Sequence, residues 1–288
     1  MKEQNLVIKN VKSFNLTHIF ECGQCFRWNQ NEDRSYTGIV RKNVINIKMI
    51  NSDVYVSSYG EDDLKELFNN YFDMNRDYEL IKSKLGKIDN HMKESIKYGE
   101  GIRLLNQDLW ETIISFIISA NNNIPRIKGI IERISKRYGN KIEWNGVEYF
   151  AFPTPKQLNK ASVEDLRNLG LGFRDVRVYE TTQKVLNKEV DLEKLHTIED
   201  TQAVRDKLLT LPGVGPKVAD CILLFSTLKR LDTFPIDVWV RRVMNDLYIH
   251  NENEEKVDKK LIMNVANEKF GDLQGIAQQY LFYWKRES

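Results

Sequence analysis

The segment Leu211-Pro212-Gly213-Val214-Gly215-Pro216-Lys217-Val218-Ala219-Asp220-Cys221 carries the strongest chemistry in the sequence. Gly213 and Gly215 permit backbone geometry closed to other residues, so they and Val214 between them can turn successive N–H groups to one side. Pro216 suits the first position of a helix, where a missing N–H is harmless. Donors gathered at a helix N-terminus bind an anion, typically phosphate. The segment therefore reads as a helix-hairpin-helix that grips nucleic-acid backbone without reading sequence, with a plain helical corner as the alternative. Lys217 falls in the first turn of the second helix, where positive potential disfavours an ammonium and favours a partly neutral, nucleophilic amine. Cys221 follows one turn later on the same face. In Phe234-Pro235-Ile236-Asp237-Val238-Trp239, Asp237 offers a helix cap or a carboxylate for a reaction centre, and the two roles are compatible.

The elements that must hold these groups differ along the chain. All six prolines lie between Pro125 and Pro235. Residues 35–40, 44–49 and 53–58 are rich in β-branched and aromatic residues with polar breaks between them, which predicts an antiparallel meander joined by segments around 6–11 and 25–29. An amphipathic helix opens at Asp62-Asp63. From about residue 100 almost everything reads as helix, with predicted spans at 108–120, 124–138, 199–210, 216–228, 237–248, 254–270 and 273–286. Gly170-Leu171-Gly172 breaks a further helix before another begins near Phe173. The expectation is an α+β chain: an N-terminal antiparallel β-sheet domain with helices over 1–99, then a mainly α-helical helix-hairpin-helix domain over 100–288.

Several function classes are excluded. With 288 residues, 41% hydrophobic and 29% charged, the chain is an ordinary globular one, and no apolar run approaches the roughly 20 residues of a membrane helix. Lys and Arg total 43 against 41 Asp and Glu, so overall charge does not signal nucleic acid and local placement must. Three cysteines exclude a disulfide scaffold and fall one short of an iron–sulfur cluster held by four. Cys22-Gly23-Gln24-Cys25 has redox or half-zinc spacing, but no βαβ pattern or further ligands stand nearby, and a turn is expected.

Five segments in order resemble the 8-oxoguanine DNA glycosylase family of the helix-hairpin-helix, Gly/Pro-Asp superfamily. They are Gly23-Gln24-Cys25-Phe26-Arg27-Trp28, Asn121-Asn122-Asn123-Ile124-Pro125-Arg126-Ile127, Leu169 to Arg174, Leu211 to Cys221, and Ala277-Gln278 with Phe282. The resemblance implies that Lys217 attacks C1′ of the damaged nucleotide, expels the base and forms a Schiff base that β-eliminates. Asp237 would stabilise charge on the sugar. The extruded 8-oxoguanine would lie between Cys221 and Phe282, with the Gly23 carbonyl accepting from N7–H and Gln278 on the Watson–Crick edge. Asn121 would fill the vacated space, Arg126 and Arg174 would donate to the estranged cytosine, and Phe173 would wedge into the stack. Trp239 stands where a histidine is expected in the best-known eukaryotic relatives, and it stays outside the expected site.

The resemblance thus implies a bifunctional glycosylase/AP lyase acting on double-stranded DNA with an oxidised purine, opposite cytosine, as a monomer. No metal or organic cofactor is implied. The start lacks a secretory apolar core, so a protein of the bacterial cytoplasm is expected. Two alternatives remain: a monofunctional glycosylase of alkylated bases, which needs no amine at Lys217, and a non-catalytic DNA-binding module using the hairpin alone.

Overall fold

The computed structural model describes residues 1–253 and 257–287. Strands β1 (Lys2–Ile8), β2 (Trp28–Gln30), β3 (Tyr36–Val40), β4 (Asn43–Ile50) and β5 (Asp53–Gly60) form an antiparallel sheet in the order β1-β5-β4-β3-β2. The meander forms as expected. Its first strand runs earlier than residues 6–11, because Asn10 adopts a left-handed φ of 53° and turns the chain away. From the 25–29 segment only Trp28 and Asn29 join the sheet, the residues before them being drawn into a turn.

Period-two alternation sends Ile45, Ile47, Val54 and Val56 to one face of the sheet. There they meet α1 (Leu16–Phe20) and α2 (Leu64–Tyr71) in an aromatic core in which Phe20 stacks on Trp28 at 4.2 Å. Helices α3 (Tyr78–Leu85) and α4 (Asn90–Tyr98) instead place Tyr78, Ile81, Leu85 and Met92 in the larger helical core. Cys22 enters that helical core while Cys25 enters the aromatic one, so the two thiols serve different interiors. Both are free and buried.

The helical half begins with α5 (Leu109–Ser119), buried along nearly its whole length, and α6 (Ile124–Tyr138), where Ile127, Ile130, Ile131 and Ile134 face inward. The expectation of helix throughout fails next. Strands β6 (Lys141–Trp144) and β7 (Val147–Phe150) form a hairpin around Asn145 and Gly146, both at positive φ, the combination that two-residue hairpin turns demand. Ile142 and Trp144 pack with Ile39 and Val44, covering the sheet's second face. The short helices α7 (Pro155–Leu158) and α8 (Val163–Leu166) lead through a π turn, Arg167–Leu171, and a 3-10 turn, Gly172–Arg174, into α9 (Asp175–Leu186). After α10 (Leu192–Leu195) come the hairpin helices α11 (Thr201–Leu209) and α12 (Pro216–Phe225), then α13 (Val238–Met244), α14 (Lys259–Phe270) and α15 (Gln274–Glu287). The helix expected over 254–270 opens on residues 254–256, which lie outside the described residues.

Buried hydrogen bonds fix the two cores against each other. The Gln24 carboxamide donates to the carbonyls of Ile19 and Arg103 and accepts from the Leu105 N–H. Gln107 in turn donates to the carbonyls of Gln24 and Phe225. Each of these groups is costly to leave unpaired, so the loop around Gly23 is held firmly beside α12.

Candidate functional site

The turn between α11 and α12 is built as its sequence requires. Gly213 adopts φ 86°, and a Cβ there would meet the Ile117 and Arg177 side chains at 3.0 and 3.1 Å. The Val214 N–H donates to the Leu211 carbonyl. Gly215 caps α12 with no side chain, and open space surrounds its Cα. Across the hairpin, the Asp220 carboxylate is buried against the Arg205 guanidinium of α11, and burial pushes its acid up to about 7.

Lys217 and Cys221 project from α12 into a cavity of about 780 Å³, which Asp237, Gly23 and Asn121 also line. Gln278 and Phe282 complete the far wall. That volume falls in the range of about 300–1,000 Å³ usual for ligand sites. Gln278, Phe282 and Arg286 recur at i, i+4 spacing, so one face of α15 supplies all three. The α15 helix is held on both sides. Gln274 and Gly275 bond to the carbonyls of Asp232 and Leu231, just before the segment leading to Asp237. Gln279 donates to the Cys22 carbonyl at 2.7 Å, and Arg286 to that of Glu21. Gly23 sits at φ 85° against Phe282, and a Cβ there would stand 3.5 Å from the ring. Gln278 is buried rather than on the surface, and its Oε1 has no hydrogen-bond partner within the protein. A buried orphan acceptor on the wall of a cavity points to a polar ligand.

Asp237 faces two ways. Its carboxylate caps α13, accepting from the Val240 N–H at 2.8 Å, while lining the cavity. Lys217 departs from expectation. The Cys221 sulfur, with the Asp237 carboxylate, outweighs burial and holds the ammonium above the ordinary lysine range. The helix N-terminus argues the other way, but these two side chains, one from the same helix and one from the start of α13, win. Burial pushes the Cys221 thiol up to about 11. The ammonium also lies 5.5 Å from the Phe116 ring centroid.

A second cluster lies outside the cavity. Gly170 at φ 92° and Gly172 at φ 59° turn the chain so that Phe173 is 55% exposed, not a core aromatic. The Arg174 guanidinium lies 4.2 Å from its ring centroid. Arg174 is itself buried and donates to the carbonyls of Ala120, Asn121 and Leu171, so it is no solvated helix charge. Contact with a base would require exchanging those partners. Arg126 is exposed in the first turn of α6 and donates to the Gly170 carbonyl at 3.5 Å. The three asparagines divide their work. Asn123 caps α6 and Asn122 bonds to the Ile118 carbonyl at the end of α5, while the exposed Asn121, at φ 52°, stands at the edge of the cavity.

The cavity also includes residues outside the expected set: Phe26, Phe116 and the half-exposed Trp239. Trp239 had a signal, a large aromatic beside Asp237, but its type departs from the motif. Among the described residues, no three His, Cys, Asp or Glu side chains converge as a metal site requires.

Comparison with known proteins bears on this geometry. Residues 6–113 match the family described as 8-oxoguanine DNA glycosylase, N-terminal domain. Residues 114–267 match the HhH-GPD superfamily of base excision DNA repair proteins. The chain is 32% identical to a probable N-glycosylase/DNA lyase of Methanothermobacter thermautotrophicus over 78% of this chain and 76% of that one. It is 30% identical to the N-glycosylase/DNA lyase OGG1 of Arabidopsis thaliana over 91% and 75% respectively. Clostridium acetobutylicum 8-oxoguanine glycosylase/lyase, solved with double-stranded DNA containing cytosine opposite 8-oxoguanine, superposes with a TM-score of 0.93 at 41% identity. That superposition covers 99% of this chain and 97% of the other.

Proposed function

The chain belongs to the 8-oxoguanine DNA glycosylase family of the HhH-GPD superfamily, and from that membership we propose how its cavity works. The protein is a bifunctional 8-oxoguanine DNA glycosylase and AP lyase. The observation that carries the mechanism is the meeting of Lys217 and Asp237 in one cavity with the orphan Gln278 Oε1. The lesion leaves the stack, as base-modifying enzymes require, and enters between Cys221 and Phe282. Lys217 gives up a proton and attacks C1′ as the bond to the base breaks, while Asp237 steadies positive charge on the sugar. The bond from C1′ to the sugar ring oxygen then opens, that oxygen taking a proton, and the Schiff base so formed loses a C2′ proton and expels the 3′ phosphate, nicking the strand. Gly23 accepts the N7–H that 8-oxoguanine has and guanine lacks, so guanine would leave the carbonyl unpaired. Gln278 binds the Watson–Crick edge.

On the outer face, Asn121 fills the gap, Phe173 wedges the stack, and Arg126 with Arg174 holds the estranged cytosine. The turn at Gly213, Val214 and Gly215 grips a phosphate. We further propose that the enzyme is a monomer acting on the DNA of a bacterial cytoplasm.

The test is a duplex carrying one 8-oxoguanine opposite each base in turn, beside a duplex carrying 3-methyladenine, scoring free base and nicked strand separately. Release and nicking fastest opposite cytosine is expected. Release of the alkylated base without a nick would support the monofunctional alternative, and binding without release from either duplex the non-catalytic one.

A pH dependence follows from Lys217. The nucleophile is the free amine, whereas the neighbours favour the ammonium, first Cys221 and then Asp237. Below the Lys217 pKa the amine fraction rises about tenfold per pH unit, so single-turnover borohydride trapping should climb through neutral pH. Trapping that does not rise with pH would contradict Lys217 as the nucleophile.

A further inference from the structure

Arg177 belongs to no motif of the family resemblance, yet it joins the two parts of the outer DNA face. Its aliphatic stem packs on the hairpin turn, where a Cβ at Gly213 would lie 3.2 Å from its own Cβ. Its guanidinium reaches the Phe173 ring, 5.2 Å from the centroid. One turn further along α9, the Thr181 hydroxyl donates to the Pro212 carbonyl at 3.0 Å, so the helix bearing Arg177 is fastened to the hairpin. The exposed wedge and the phosphate-gripping turn are therefore connected through one side chain.

Among the described residues, Arg126, Arg174 and Arg177 form no salt bridge. Burial, and then the positive charges of Arg126 and Arg177, pull the Arg174 guanidinium below the ordinary arginine range. The nearest acid in sequence, Asp175, is engaged elsewhere: its carboxylate accepts from Arg167 and from the Val176 N–H. Arg177 is exposed. Like charges gathered around an exposed ring repel one another in the free protein, and an anion arriving among them relieves that repulsion.

We propose that Arg177 is a DNA-backbone contact that passes from the Phe173 ring to a phosphate as the ring enters the duplex, coupling the hairpin's grip to wedge insertion. The proposal rests on Phe173 being the wedge of an 8-oxoguanine glycosylase. Arg177 touches no reacting atom in it and acts as a positioning residue. A guanidinium suits the exchange because its plane stacks on an aromatic face and its donors match phosphate.

The test uses the full chain with an 8-oxoguanine–cytosine duplex and the same duplex undamaged, measuring affinity by anisotropy over a series of salt concentrations. Arg177→Met keeps an unbranched stem on Gly213 and removes the charge. It should weaken binding to both duplexes and lower the slope of log affinity against log salt by about one. Arg177→Lys should restore the slope, since it keeps a point charge, but not the full excision rate, since it loses the planar stack. With Phe173→Ala, the effects of Arg177→Met on single-turnover excision should be less than additive. An unchanged salt slope in Arg177→Met overturns the contact, and full additivity overturns the coupling. If the wild-type chain failed to excise 8-oxoguanine, the enzymatic assignment would fall, while the slope on undamaged DNA would still decide the contact.

Discussion

Lys217→Gln is expected to abolish strand nicking and the borohydride-trapped adduct, and to slow release of 8-oxoguanine by at least about 10³-fold, roughly 4 kcal/mol of transition-state stabilisation. Among the described residues lining the cavity, Lys217 is the only lysine, so no second amine stands ready to replace it. Lys229 is a buried lysine whose ammonium burial pulls down to about 7, but it donates to the carbonyls of Leu104 and Leu105 and lines a different cavity. Its lowered pKa serves structure, not attack. Glutamine keeps most of the Lys217 stem and a donor at its end, so the variant should still bind the lesion duplex within several-fold of wild type. Binding retained with the adduct gone would separate loss of the nucleophile from loss of the fold. An adduct persisting in Lys217→Gln would show that another amine performs the chemistry.

The part of this site that sequence reveals is the part that local geometry dictates. The glycines of the hairpin, Pro216 at the start of α12 and the cap at Asp237 each satisfy a constraint set within a few residues, and all are legible before any tertiary contact is known. The β6–β7 hairpin was equally local, since Asn145-Gly146 between β-rich segments is a strong turn signal, but the helical segments on either side outweighed it. What sequence cannot supply is the field from distant elements. The helix N-terminus alone argues for a neutral Lys217; Cys221, one turn on in the same helix, is legible in the sequence, but Asp237 arrives from another element, and together they reverse the sign. Arg174 shows the same limit: a charged residue near a helix start reads as solvated, yet the chain buries it by offering the free carbonyls at the end of α5. Trp239 departs from the motif and so carries no motif signal, although its position beside Asp237 places it at the cavity.

Asp237 joins a local role to a distant one, and Asp237→Asn separates them. As a cap, asparagine is about as good as aspartate, and its amide oxygen can accept from the Val240 N–H as the carboxylate does. The melting temperature should therefore stay within about 2 °C of wild type, whereas Asp237→Ala loses about 1 kcal/mol with the cap. The charge is a different matter. Two opposite charges about 4 Å apart interact by roughly 4 kcal/mol at an intermediate effective dielectric, far more than any difference between the two caps. Excision by Asp237→Asn at high pH should consequently fall by about 10²-fold or more. The deficit should narrow as pH falls, because the lost carboxylate also lowers the Lys217 pKa and leaves the variant with a larger fraction of free amine than wild type. A purely structural Asp237 predicts the opposite pattern: no loss in the asparagine variant, a loss in the alanine one that follows its lower stability, and no change in the shape of the pH profile. Single-turnover rates for both variants across the pH range, set beside their melting curves, distinguish the two.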